Sequence, residues 1–302
     1  ATTTAADATT TAMSRPAPRA FVLAAAFATG FAFLLLELVW YRLSAPLLGG
    51  STYSFGLVLA VALFGVGAGG CLYAWLGPTR ATIGGFAITC ALEAACVLVP
   101  YGFGDDIARL AYFLRELGDV DLSTMIAGWT AVTAILVLPA ALVAGWQFPS
   151  LLALAGRGEA GAAKDSGDVY AANTLGSIAG SLAGGFGFLP WLTAPGAWKL
   201  GAFVLAGAAV VAVAVAIGPR ASGSHEPRTA VNAARWAVAA LCVVVTIGLA
   251  TAQGPTAVWR HHGIGAGRGQ LRATSWNQLM EREMLARRLI EDHEGVESSL
   301  GF

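Results

Sequence analysis

Charged residues are scarce in this sequence. Asp, Glu, Lys and Arg make up 12% of the 302 residues, whereas soluble domains carry about 25%. So few charges cannot cover a water-facing surface of this size, which argues against an ordinary soluble protein. The formal net charge of +0 gives no basic excess either. We therefore expect no nucleic-acid partner.

Cysteine and metal-binding patterns are also sparse. The two adjacent histidines, His261 and His262, point in diverging directions in most backbone conformations and have no Cys or carboxylate at metal-ligand spacing. The segment "GIGAGRG" follows no strand, so it predicts a flexible connector rather than a nucleotide-binding loop. We expect neither a metal site nor a cofactor site in this chain. All four cysteines lie in apolar runs, where they are typical of small buried hydrophobic residues: Cys71, Cys90, Cys96 and Cys242.

Long apolar runs dominate what is present, and the mean hydropathy is +0.66. About 20 apolar residues in a helix cross a hydrocarbon core of about 30 Å. The runs are continuous rather than alternating, which favours helices over a membrane β-barrel. The predicted fold is all-α, a polytopic transmembrane helix bundle of about seven spans in residues 20–252. The spans are predicted near 20–41, 53–76, 82–103, 124–146, 169–190, 197–217 and 235–252.

Two shorter segments flank or interrupt these spans. Residues 1–19 are rich in Ala and Thr and predict a disordered N-terminal tail, with Met13 as a candidate start. Residues 105–117, "DDIARLAYFLREL", place apolar side chains at helical spacing but are too short and too charged to cross. We expect an interfacial helix lying on the membrane there.

The distribution of Lys and Arg predicts the orientation. An N-terminus in the cytoplasm places eight basic residues inside and four outside, which favours this orientation in the cell membrane. Seven crossings then place the tail after Gln253 outside. If the fifth, glycine-rich segment is re-entrant, the tail returns to the cytoplasm instead.

Glycine recurs at helical spacing in two of the predicted spans. In "YAANTLGSIAGSLAGGFGFLP" the residues Gly176, Gly180 and Gly184 share one helix face. In "GVGAGG" the residues Gly65 and Gly69 have the same four-residue spacing. Small residues on one face let membrane helices approach closely. We interpret both faces as helix-packing surfaces, with a ligand-lining role as the alternative. No internal repeat of the kind found in many transporters is evident.

Polar residues inside the apolar runs mark a candidate intramembrane site, formed by Glu37, Arg42, Glu93 and Asn173. A carboxylate in hydrocarbon is costly, so such a group faces the bundle interior, pairs or is protonated. Glu37 is close in sequence to Arg42, whereas Glu93 has no partner nearby. A structural hydrogen bond between helices and a cation or proton site remain equally open. Asn173 and Gln147 fit hydrogen bonds between helices.

The composition becomes polar after residue 252. Ser275 and Gln278 have capping-box spacing, which predicts a helix near 276–292. The following "VESSLGF" is typical of the beginning of a strand. One helix and the beginning of a strand are too small to bury a core by themselves.

The segments "ELVWYRL", "GWQFPSLLAL" and "YAANTLGSIAGS" resemble the membrane half of multi-span spermidine synthase-like proteins. The resemblance covers about residues 20–302. It implies a membrane bundle followed by a soluble aminopropyltransferase-like domain, with decarboxylated AdoMet as that domain's co-substrate. It also implies that residues 253–302 are the linker and the truncated start of that soluble domain. The catalytic motifs of that domain do not occur here, so no catalytic residue and no cofactor is assigned to this chain, which resembles a truncated N-terminal part of a transferase.

Three functions are compatible with these features. The first is an integral membrane module that anchors an aminopropyltransferase-like domain missing from this chain. The alternative is a transporter of polyamines or other cations that uses the intramembrane carboxylates. The third is a scaffold whose glycine faces contact partner proteins. The lipid bilayer is the expected partner in each case, and a homo-oligomer is left open.

Overall fold

The computed structural model describes residues 17–78, 81–116, 121–156, 161–217, 230–261, 277–278, 292–295 and 299–301. The described part is almost entirely helical. Its helices are α1 (Arg19–Leu48), α2 (Thr52–Leu76), α3 (Ile83–Phe103), α4 (Asp106–Glu116), α5 (Leu122–Ala155), α6 (Ala162–Ala183), α7 (Leu189–Ile217), α8 (Ala230–Ala250) and α9 (Ala257–His261). A π-helical turn, Gly184–Phe188, joins α6 to α7.

Five of the helical segments are long and apolar enough to cross a membrane. They are α1, α2, α3, α5 and the continuous segment Ala162–Ile217, which contains α6 and α7. The predicted class, a helical membrane protein, is thereby supported. The predicted helix near 276–292 and the connector at 263–269 lie largely outside the described residues, as do residues 1–16 of the predicted tail.

The strand expected at the end of the chain is present as β2 (Ser299–Gly301), which pairs antiparallel with β1 (Asp292–Glu294). His293 lies opposite Leu300 in this register. Asp292 was expected to end a helix, so the prediction was wrong at that residue. Its backbone groups are in the ladder of the hairpin instead.

Close contacts show that α1 and α6 run in the same direction. A Cβ atom at Gly176 would lie 2.0 Å from the carbonyl oxygen of Phe27, and one at Gly180 would lie 2.2 Å from that of Phe31. Residue numbers rise together along both helices, so the pair is parallel. These approaches leave room only for a hydrogen atom on the α6 side.

The same relation holds between α2 and α5. A Cβ atom at Gly65 would lie 2.5 Å from the Cβ of Ala141, and one at Gly69 would lie 2.0 Å from the carbonyl oxygen of Leu142. This pair is therefore also parallel. Both faces identified from the sequence as packing surfaces contact a helix that is not adjacent in the chain.

The remaining long helices can be ordered around α3. Gly84 and Gly102 of α3 face Trp236 and Leu249 of α8, so these two helices are parallel. In contrast, α7 runs antiparallel to α3, because Trp198 near its start bonds Val97 while its later residues join Phe86 in a second core cluster. Leu154 of α5 joins the same cluster, which makes α5 antiparallel to α3 as well.

Leaving the short α4 and α9 aside, consecutive long helices in the described part alternate in direction. One end of the bundle holds the start of α1, where Arg19 pairs with Asp168 of α6. We call this the Arg19 end. The other end holds the α1–α2 turn, α4 and the residues after α8, and we call it the Leu48 end.

The two parallel pairs are related by an inverted repeat, in which α1, α2 and α3 correspond to α5, α6 and α7. The contact of Gly69 with Leu142 matches that of Gly176 with Phe27, at 2.0 Å in both cases. Three residues away, a Cβ atom at Gly145 would lie 2.1 Å from the carbonyl oxygen of Val66, and one at Gly30 would lie 2.3 Å from that of Asn173. Because α1 and α5 run in opposite directions, the two halves have opposite topology.

The helix after the glycine face continues beyond the predicted fifth span. The backbone bends back only at Thr193, whose φ of 61° is in the left-handed region. A threonine adopts that conformation at a cost, so its neighbours must hold it there. The bend separates α6, which runs along α1, from the part of α7 after Thr193, which runs back along α3.

The segment predicted to form an interfacial helix near 105–117 contains α4, which begins at Asp106; its position at a membrane surface stays a prediction. Ile107, Ala108, Ala111 and Tyr112 are buried, and the helix contacts α5, where Leu114 lies against Gly128. Its apolar face therefore packs on the Leu48 end of the bundle. Asp121 then caps α5, and hydrogen bonds from Ser123 and Thr124 lower the pKa of this exposed carboxyl to about 2.

Candidate functional site

The most deeply buried acidic group of the described residues is Glu93, in the middle of α3. The residue is 1% exposed, and its Oε2 accepts a hydrogen bond of 2.6 Å from Nε2 of Gln147 in α5. Gln147 is also 1% exposed. The bond joins a helix of the first repeat to a helix of the second. We call these two residues the carboxyl–amide pair.

Local sequence explains why both side chains point inward. The buried positions of α3 recur every three or four residues, and Glu93 lies among them between Ala91 and Ala94. Gln147 lies between the buried residues Gly145 and Ser150 of α5. A residue on such a stripe faces the bundle whatever its polarity, so each of these groups needs a polar partner.

One polar atom of the pair has no partner. The Oε1 atom of Gln147 is buried and accepts no hydrogen bond. A buried acceptor left unpaired costs about 1–3 kcal/mol. The arrangement is therefore short of one hydrogen-bond donor at the place where the carboxyl and the amide meet.

Two thiols flank Glu93 on its own helix, since Cys90 and Cys96 are each three residues from it along α3. Cys90 is buried, whereas Cys96 and Cys242 of α8 are half-buried. All four cysteines are free thiols. Within the described ranges, no group of three or more His, Cys, Asp or Glu side chains has the geometry for a metal ion.

The other predicted members of the intramembrane site do not join Glu93. Glu37 is half-buried on α1 and makes no hydrogen bond or ion pair with any described residue. Arg42 instead donates from Nη2 to the carbonyl oxygen of Gly295. The partner proposed for Glu37 from sequence proximity is therefore engaged elsewhere.

Asn173 lies in the contact between α6 and α1. A Cβ atom at Gly30 would lie 2.9 Å from its Oδ1 and 2.3 Å from its carbonyl oxygen. The residue thus belongs to the glycine-lined contact with α1, where Gly176 and Gly180 follow it. Gly184 continues the same line, since its Cβ would lie 2.8 Å from a methyl carbon of Leu35.

A second polar cluster forms at the Leu48 end, where the chain leaves α8. Asp105 accepts two hydrogen bonds from Thr256, one of 2.9 Å from the backbone N–H and one of 2.6 Å from the hydroxyl. A carboxylate that bonds both groups of one residue fixes its position and orientation. The cluster borders a cleft of about 210 Å³ that is also lined by Arg109 and Gln253.

Trp259 anchors the same segment to the bundle. Its side chain is 0% exposed, and Nε1 donates a hydrogen bond of 2.7 Å to the carbonyl oxygen of Leu43. Together with Thr256 and the contact of Arg42 with Gly295, this holds the chain after α8 against α1 and α4. We call Thr256–His261 the docked segment.

Sequence reasoning missed the docked segment and the partner of Glu93. The sequence signal for the former was a tryptophan in an otherwise polar stretch after the last apolar run, which predicts burial. The only signal for the partner of Glu93 was that two otherwise apolar helices each carry one strongly polar side chain. Neither signal names the partner.

Comparisons of this chain with protein-family models, with curated proteins and with solved structures find no match.

Proposed function

We propose that this chain is the integral membrane module of a spermidine synthase-like protein, which anchors a soluble aminopropyltransferase-like domain. The observation that carries the proposal is the docked segment. Trp259 is 0% exposed and Thr256 is bonded twice to Asp105, so the chain leaves the bundle in a fixed direction. A module that positions a following domain requires such a rigid exit, and the sequence resemblance supports the same assignment.

The gene provides the direct test of this proposal. We expect the reading frame to continue past the codon for Phe302 into a strand, a glycine-rich loop and an acidic residue. Such a continuation would supply the substrate-binding fold of an aminopropyltransferase-like domain. A stop codon directly after Phe302 would contradict the proposal.

We further propose seven crossings of the cell membrane with the N-terminus in the cytoplasm. Support comes from the alternating directions of α1, α2, α3, α5, α6, α7 and α8. The sequence supports the same orientation, because its predicted spans place more Lys and Arg on the side of the N-terminus than on the other side. A re-entrant fifth segment is disfavoured, because α6 follows α1 from Phe27 to beyond Leu35. This orientation places the attached domain outside, away from the cytosolic pool of decarboxylated AdoMet, so its acceptor or donor would differ.

Cysteine labelling from each side tests this orientation. Asp106→Cys and Gln253→Cys lie at the Leu48 end, whereas Thr82→Cys and Ala163→Cys lie at the Arg19 end; all four positions are exposed. In a background with the native cysteines replaced by serine, a membrane-impermeant maleimide should label the first two in intact cells. The other two should react only after the cells are opened. Labelling of Ala163→Cys but not of Asp106→Cys in intact cells would reverse the orientation and return the tail to the cytoplasm.

Limited proteolysis tests whether the docked segment is held by Asp105. Replacing Asp105 with Ala removes a charged acceptor of two hydrogen bonds, each worth about 1.5–3 kcal/mol. We expect trypsin to cleave after the half-buried Arg260 about tenfold faster or more, because local opening becomes easier. Asp106→Ala is the matched control, since that carboxylate pairs with Arg109 within α4. Equal cleavage of both variants would show that the segment is not held in this way.

A further inference from the structure

The centre of the bundle contains an acid with no described basic group beside it. Glu93 is the middle residue of the 21 in α3 and is 1% exposed. A bare carboxylate in such a place is very costly, so the site requires one positive charge. What supplies that charge decides what the site does.

The titratable groups on the surrounding helices do not supply it. No Asp, Glu, Lys, Arg or His occurs between Leu122 and Ala155 of α5. The cation of α7, Lys199, lies 5.2 Å from the ring centre of Tyr101 near the end of α3. Glu37, an acid, is half-buried in the second half of α1 and cannot supply a positive charge. The other acidic, basic and thiol groups on the elements around the pair either are thiols or lie near helix ends: Cys90 and Cys96 on α3, Cys242 on α8, Asp106 and Arg109 on α4, and Arg19 and Arg42 on α1.

The hydrogen-bonding inventory of the pair identifies the missing group as a proton. In the arrangement described, Nε2 of Gln147 donates to Oε2 of Glu93, and Oε1 of Gln147 has no donor. A carboxylate has no hydrogen to offer, whereas a carboxylic acid has one O–H. If a proton binds the second carboxyl oxygen of Glu93, its O–H can donate to the unpaired amide oxygen. Acid and amide then exchange two parallel hydrogen bonds, and every polar atom of the pair is used.

Metal cations fit this place poorly. Hard cations such as Ca²⁺ and Mg²⁺ take six or more oxygen ligands. The pair offers only the carboxyl oxygens of Glu93 and the amide oxygen of Gln147. The described residues contain no acidic or histidine cluster that would complete such a shell. An organic ammonium group would need a cavity, but both side chains are 99% covered by protein, since each is 1% exposed.

The carboxyl–amide pair lies between the two halves of the inverted repeat. Glu93 belongs to the first half of the inverted repeat and Gln147 to the second, so their hydrogen bond crosses the interface between the halves. Interfaces between inverted repeats near the middle of the membrane are where transporters place their coupling sites. Adding or removing one hydrogen bond there changes how strongly α3 and α5 hold together.

We propose that Glu93 and Gln147 form a reversible proton-binding site at the interface between the two inverted three-helix halves. Binding converts the carboxylate and one proton into a carboxylic acid whose O–H is donated to Gln147. Release breaks that bond and leaves the single bond from the amide N–H. This site is independent of any domain that follows the chain.

Infrared spectroscopy of the purified full chain in detergent tests the proposal. We expect a carbonyl stretching band of a protonated carboxyl group that is lost in Glu93→Gln and declines in the wild type as the pH is raised. Glu37→Gln is the matched control and should leave this Glu93 band in place. The band should also shift in deuterated buffer, which shows that the proton exchanges.

A second variant separates a proton site from a merely structural hydrogen bond. In Gln147→Leu the acid loses its acceptor, so the Glu93 band should move to higher frequency and its midpoint of titration should shift. If this variant does not fold, Gln147→Met serves the same purpose. The proposal is overturned if no band depends on Glu93, if the band does not change with pH, or if replacing Gln147 leaves band and midpoint unchanged.

Discussion

A methyl group at Gly69 is expected to disrupt the bundle, whereas the same change two residues earlier is expected to be harmless. In Gly69→Ala the new carbon would lie 2.0 Å from the carbonyl oxygen of Leu142, so α2 and α5 must separate. Forced overpacking costs about 1–3 kcal/mol and sometimes more. A contact with backbone, which cannot swing away as a side chain does, belongs at or above the top of that range.

Gly67→Ala is the control on the same helix, because no atom lies within 4 Å of a Cβ atom there. Alanine favours the helix over glycine by about 1 kcal/mol, so this variant should be as stable as the wild type or slightly more stable. The measurement is the temperature at which half of the purified protein stops eluting as a single peak in detergent. Similar midpoints for the two variants would contradict the close contact of α2 and α5.

The inverted repeat extends this prediction to a second pair. Gly176→Ala should cause a loss similar to that of Gly69→Ala, because its Cβ would lie at the same 2.0 Å from a backbone oxygen, that of Phe27. Gly167→Ala is its control on α6, with no atom within 4 Å. Unequal losses at Gly69 and Gly176 would show that the two halves are not equivalent in packing.

Replacing Trp259 with Ala is expected to have an effect of similar size. The side chain is 0% exposed and donates to the carbonyl oxygen of Leu43, so the change leaves a cavity and removes this hydrogen bond. Removing a buried Trp costs about 3–5 kcal/mol. We expect a lower thermal midpoint and, because the docked segment loses its anchor, cleavage by trypsin after Arg260 at a lower temperature.

Trp75→Ala provides the comparison, since that side chain is 84% exposed. In detergent it should change the midpoint little, because its surroundings are solvent or detergent before and after the substitution. If Trp259→Ala and Trp75→Ala behave alike, then Trp259 is not an anchor. The proposal that the bundle fixes the exit of the chain would then lose its main support.

The limits of the predicted spans show what hydropathy can locate. The first span was predicted to end at residue 41, but α1 continues to Leu48. The fifth was predicted to begin at residue 169, yet α6 begins at Ala162 and includes Lys164 and Asp165. An apolar run marks the part of a helix that contacts lipid, whereas hydrogen bonds and pairs such as Arg19 with Asp168 extend the helix beyond it.

The candidate site was only half visible in the sequence. Glu93 was identifiable because a carboxyl group in an apolar run needs a partner. Gln147 was identifiable as a polar residue of another span, but their contact depends on α3 and α5 being antiparallel neighbours. Glu37 and Arg42, which are close in the chain, were expected to interact and do not, because Arg42 donates to the carbonyl oxygen of Gly295 instead.

The inverted repeat could not be recognised in the sequence, because the two halves share the geometry of their helix contacts rather than a run of similar residues. Gly69 and Gly176 match, as do Gly145 and Gly30, but the residues between them face lipid or other helices, where many apolar side chains are acceptable. Two halves can therefore share one packing plan with little identity of sequence. Because the two halves have opposite topology, their corresponding loops lie on opposite sides of the membrane and share no pattern of charged residues.

The sequence by itself determined the class of the protein, the approximate places of its apolar helices and the residues that cannot be left without a partner. It did so because hydrophobicity and polarity belong to single residues and short segments. Only the tertiary structure decided which glycine face meets which helix, which amide meets Glu93 and where the chain after α8 is held. Those outcomes depend on contacts between segments far apart in the chain, and several helix arrangements would bury similar apolar faces before shape and hydrogen bonding select one.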